Sequence, residues 1–172
     1  IAIIHDARAR SPDNVMFALH DLTLQCRYYF VSQPQFDAFI ELIKKPYRFR
    51  SFESWRNFTL FAPSPDCKGI GYNDVLNILT TLKDNPIITK NSFQKQRILH
   101  LIGQLETNNN NRAKAYRAFL EAQRVKPDIE RALLQSSILA TQGYYPEAQS
   151  LLEHAKKVYY KNGEIAWMKR RG

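Results

Sequence analysis

Two short pairs in this sequence set a base beside an acid: His5-Asp6 and His20-Asp21. A general base works only with its acid partner in hydrogen-bond reach, and neighbours along a helix point in different directions. Neither pair is therefore a catalytic dyad by itself. Cys26 and Cys67 lack the C-x-x-C spacing of zinc or redox sites, and the four histidines cluster with neither. They read by default as two buried thiols, and a disulfide between them is permitted in an oxidising compartment. Gly69-Ile70-Gly71 reads as a loop rather than a phosphate cradle, and Glu147 and Glu153 read as solvated faces. G-x-S-x-G and H-E-x-x-H are absent. Asn57-Phe58-Thr59 matches a glycosylation acceptor, but inside an expected helix it reads as a chance match. The sequence thus implies no catalytic residues, no cofactor and no metal.

Charge offers a second route to function. There are 25 basic against 16 acidic residues, a net charge of +9, which invites an anionic partner. The densest stretch, Lys44 to Arg56, interleaves Tyr47, Phe49, Phe52 and Trp55 among Arg48, Arg50 and Arg56. Basic residues among aromatics can clamp a phosphate backbone and stack bases. Yet Phe52, Trp55 and Phe58/Thr59 fall at helical spacing, which favours a core stripe with the arginines facing water. Nucleic acid is the disfavoured partner, since no recognised motif accompanies the charge.

The elements that must carry these residues are helices. Apolar residues recur at three and four, and β-branched alternation is nearly absent. A first helix is expected to end at Ser11-Pro12, with Asp13 or Asn14 capping the next. That helix carries Ala18, Leu19, Leu22, Cys26, Tyr29 and Phe30 until Pro34 breaks it. Phe36, Phe39, Ile40 and Ile43 follow, then a helix around 51–61, the proline- and glycine-rich loop 62–71, and a helix with Val75, Leu76, Leu79 and Leu82. Further helices start at Ser92, after the four asparagines 108–111, near Asp128 and near Tyr145, with a short one at 164–172. No apolar run approaches the roughly 20 residues that span a bilayer. The chain starts at Ile1 with no charged-then-apolar leader, so it is expected to be a fragment of something longer.

From Leu99 the chain reads Leu99, Ile102, Gly103 and Glu106, then Ala115, Phe119, Ala122 and Pro127. This resembles the tetratricopeptide repeat, departing only at Glu106, where that family carries an aromatic residue. Leu133, Ser137, Ala140, Ala148, Leu152 and Ala155 form a weaker second unit. Ile4, Ala7 and Pro12 match the spacing of Phe119, Ala122 and Pro127, and Ala38, Leu42 and Pro46 hint at another unit. The resemblance implies an all-α fold: a right-handed helical-repeat array of antiparallel helix pairs. The expected order is degenerate repeats over 1–46, an irregular helical segment over 47–91, the best repeat over 92–129, a second over 130–163 and a capping helix over 164–172.

In that family the first helix of each unit faces a groove that binds a protein or peptide partner. The resemblance therefore implies Arg97, His100, Gln104, Thr107 and Asn108 as groove residues, with Arg131 and Leu134 in the next unit. Arg97 and His100 could share a carboxylate. Asp6 to Val15 also resembles the segment opening the repeat region of bacterial polytopic membrane proteins of glycosyltransferase-like and oligosaccharide-transferring families. That implies a non-catalytic scaffold on the periplasmic side of the membrane, attached through segments outside this fragment. A cytoplasmic scaffold, and a basic groove for nucleic acid or anionic glycan, are the alternatives.

Overall fold

The computed structural model describes residues 6, 9–46, 49 and 51–171, with 162–171 as helical backbone alone. The described residues form helices and loops and no strand. In order these are α1 (Val15–Tyr28), α2 (Gln33–Lys44), α3 (Phe52–Phe61), α4 (Tyr72–Asp84), α5 (Pro86–Thr89), α6 (Ser92–Asn108), α7 (Arg112–Val125), α8 (Ile129–Thr141) and α9 (Tyr145–Arg171). The chain divides into two compact units, residues 1–94 and 95–172. Ile4, Ala7, His5, Tyr47, Arg48 and Arg50 lie outside the described residues, so the earliest repeat match does too. No described helix is long and apolar enough to cross a membrane.

In the first unit, Asn14 rather than Asp13 caps α1: its Oδ1 accepts from the backbone N–H of Met16 at 3.0 Å and of Phe17 at 3.2 Å. Asp13 instead pairs with Lys45 at 2.7 Å on the surface. Val15, Ala18, Leu19, Leu22 and Cys26 are buried as one stripe. The stripe stops there, because α1 ends at Tyr28 and leaves Tyr29 and Phe30 exposed. Pro34 does not break α1; it sits in the first turn of α2, where its missing N–H has no intrahelical role.

Phe36, Phe39, Ile40 and Ile43 of α2 are buried as the spacing predicts. Trp55 is fully buried, its ring 6.2 Å from Phe39 and stacked 5.6 Å from Phe49. Phe49 and Trp55 of the basic stretch are thus interior and Phe52 is half-buried, while Arg56 pairs with Glu53 at 2.9 Å. On α4 the buried set is Val75, Ile78, Leu79 and Leu82, with Leu76 only half-buried. Asn85 does more than end α4. Buried, it donates from Nδ2 to the carbonyls of Ile43 at 3.1 Å and Lys45 at 3.3 Å, satisfying the exit of α2.

Cys26 and Cys67 form a disulfide, with Cα atoms 4.6 Å apart, so the reading of two free thiols is corrected. The backbone around it explains the pairing. Lys68 N–H donates to Cys26 C=O at 2.7 Å, and Val31 N–H donates to Lys68 C=O at 3.0 Å. Gly69 makes this approach possible: its φ is +83°, and a Cβ there would stand 2.9 Å from Val31 N. The bridge joins residues 41 apart in sequence and closes a loop holding α2 and α3. By loop entropy it contributes about 4 kcal/mol. We expect C26S/C67S to lower the urea midpoint accordingly, with reductant destabilising the wild type to the same level and leaving the variant unchanged.

Candidate functional site

The second unit is built on close approach. Phe119 is fully buried against Gly103, and a Cβ at 103 would lie 2.9 Å from its Cζ. Only glycine lets α6 and α7 come this near. Gln96 Nε2 donates to Lys126 C=O at 2.6 Å, and the His100 and Phe119 ring centroids are 5.7 Å apart. Early α6 residues thus meet late α7 residues, so the two helices are antiparallel.

The asparagines form the turn. Asn109 N–H bonds Leu105 C=O at 3.0 Å, Asn110 takes a left-handed φ of +59°, and Asn111 N–H bonds Glu106 C=O at 2.8 Å. Glu106 explains itself here: buried, its carboxylate accepts from Asn111 Nδ2 at 2.7 Å. An aromatic residue at that position could not tie down the turn in this way.

In α8 the buried positions are Ala132, Gln135, Ser136 and Leu139. This corrects the second unit by one residue, since Leu133 is 55% exposed and Ser137 is exposed. The rotation follows from a buried polar chain. Gln123 Oε1 accepts from Asp128 N–H at 3.0 Å, Gln123 Nε2 donates to Gln135 Oε1 at 2.8 Å, and Gln135 Nε2 donates to His100 Nδ1 at 3.3 Å. Buried amides must be paired, and this pairing turns Gln135 inward. Gly143 ends α8 at φ +77°. The terminal helix expected over 164–172 is not separate, because α9 runs unbroken from Tyr145 to Arg171. The side chains of Trp167 and Met168 lie outside the described residues.

Three contacts share one spacing. His100 meets Gln135, Arg112 meets Glu147 at 2.6 Å, and Tyr116 meets Ser150 at 2.8 Å, at sequence separations of 35, 35 and 34. They join α6 to α8 and α7 to α9, first helix to first and second to second. Ala115, Phe119, Leu139, Ala148 and Leu151 share a single core cluster among these helices. Glu147 is accordingly not a solvated face: the hydrogen bond from Arg112 holds its carboxyl below the usual glutamate range. Its share of stability is present above that range and is lost as pH falls through the lowered value. Glu153 stays exposed and accepts from Gln149 at 3.0 Å.

The seven candidate groove residues separate into two groups. His100, Gln104 and Thr107 are buried. Thr107 Oγ1 donates to Gly103 C=O at 2.7 Å, and His100 is held by Gln135 and Phe119. The fold thus places these three inside the helix packing, and it holds His100 against Gln135 and Phe119 rather than on the surface beside Arg97. Arg97 and Arg131 are half-buried, while Asn108 and Leu134 are exposed. Burial, and then the nearby positive charge of Arg131, lower the pKa of Arg97 below the ordinary guanidinium value. The charge of Arg131 on α8 thus acts on Arg97 on α6. Among the described residues no group of three or more His, Cys, Asp or Glu side chains could hold a metal ion. His20 is exposed while Asp21 is buried, so that pair does not converge.

Comparison with protein-family models, curated proteins and solved structures finds no match for this chain.

The glycine contact is directly testable. G103A should cost about 3 kcal/mol by forcing the helices apart around a ring that cannot yield. Denaturant unfolding checks this, with G71A as a control because a Cβ at 71 meets only the flexible Asp74 carboxylate at 3.8 Å.

Proposed function

We propose that the second unit is a pair of stacked tetratricopeptide-like hairpins forming a non-catalytic interaction scaffold, and that it takes an acidic segment of a protein or peptide partner. Stacking is supported by the contacts at separations of 34 and 35, which one repeat length would generate. The acidic ligand is carried by one observation: Arg97 and Arg131, on the first helices of consecutive hairpins, are both half-buried, and the charge of Arg131 acts on Arg97. A carboxylate reaching both could accept from two guanidinium forks. Leu134, 49% exposed on α8, would offer apolar contact beside them. The disulfide supports work in an oxidising compartment such as the periplasm, where such bridges persist. An extracytoplasmic role in envelope or glycan assembly, with attachment through other segments of a larger membrane protein, accords with this.

The test is fluorescence anisotropy with a labelled Glu/Asp-rich peptide ending in a free carboxylate. R97A/R131A should weaken binding at least about tenfold, as loss of charge-assisted forks does. Unchanged peptide affinity in the double variant, with helicity retained, would reject the assignment.

A further inference from the structure

α9 has 27 residues and α8, against which it packs, has 13. At about 1.5 Å per residue, α9 runs on for roughly 20 Å beyond the length of its neighbour. The last buried side chain described on it is Ala155, and the last half-buried one is Val158. Around them Lys156, Lys157 and Lys161 are exposed, with Tyr159 at 60% and Tyr160 at 57% exposure. Lys156 Nζ sits 5.8 Å from the centroid of the Tyr160 ring, which meets Tyr159 edge to face at 6.0 Å. Glu153, Lys156, Lys157, Tyr160 and Lys161 line a shallow concavity of about 470 Å³. From Lys156 to Arg171 the sequence holds six basic residues and a single acid, Glu164.

This charge is not explained by the helix itself. The macrodipole favours cations only in the last turn, and Lys156 to Lys161 stand more than two turns before the end at Arg171. Lys157 and Lys161, four apart, repel each other on the surface. We propose that this part of α9 docks on an anionic lipid surface. Lysines reach headgroup phosphates while their stems and the tyrosine rings lie at the boundary between headgroup and acyl chain. A lipid surface fits better than nucleic acid, because base stacking needs open ring faces. Here Lys156 covers a face of Tyr160, and the Tyr159 and Tyr160 rings pack edge to face on each other. This surface is separate from the arginine pair, and the two readings stand or fall independently.

The test is sedimentation of the whole chain with vesicles of phosphatidylcholine, alone or with phosphatidylglycerol added. Binding is expected only to the mixed vesicles, and it should weaken with salt. K156E/K157E/K161E should reduce it at least about tenfold, at the attraction expected per lysine near a charged membrane. K156Q/K157Q/K161Q repeats the test without adding acids to the helix. Y159A/Y160A should give a smaller loss, and R97A/R131A should bind vesicles as the wild type does. Equal binding to neutral vesicles, full binding by both lysine variants, or retention on single-stranded oligonucleotide but not on vesicles would each overturn the proposal.

Discussion

A phenyl ring stands where a methyl group would otherwise be, and the second half of this protein depends on it. Phe119 occupies the space left by the missing side chain of Gly103, so α6 and α7 approach more closely than ordinary packing allows. That approach sets the register of the hairpin and puts Gln96 within reach of the Lys126 carbonyl. It also presses His100 into the interior against Phe119, where its Nδ1 can accept from Gln135 of α8. The next hairpin is thereby fixed in rotation by the first. A substitution at one glycine would spread through all four helices.

The interior this creates is unusually polar for its size. His100, Gln104, Glu106, Thr107, Gln123, Gln135 and Ser136 are all buried. Amide and carboxylate pairs meet the cost of burying several of these groups, which makes the arrangement specific rather than merely compact. Arg97 and Arg131 are a different case. Burial, followed by the positive charge of Arg131, lowers the pKa of Arg97.

The helices were legible in the sequence because each carries an apolar stripe at three-and-four spacing. The Gly103, Ala115, Phe119 and Ala122 pattern was legible too, since small and large residues alternate where two helices must meet. Glu106 showed only as a departure, because its partner Asn111 lies across a turn whose geometry spacing alone does not give. The one-residue rotation of α8 was hidden for a similar reason. Leu133 and Ser137 continue the expected pattern, but the hydrogen bond between Gln123 and Gln135 overrides it. The same blindness put His100 on the ligand face. From sequence a histidine beside an arginine suggests a carboxylate site, and only the fold reveals which of the two points inward. The disulfide was legible only as the alternative to two buried thiols, since what brings Cys67 to Cys26 is the backbone bonding of Lys68 and the left-handed turn at Gly69.

The most direct measurement is an NMR titration of the arginine Nε–H resonances with an Asp/Glu-rich peptide ending in a free carboxylate. If two stacked hairpins present a pair of cations to an acidic partner, the Arg97 and Arg131 signals should shift together and saturate at one peptide concentration. Shifts confined to other arginines, with those two unmoved, would contradict the account.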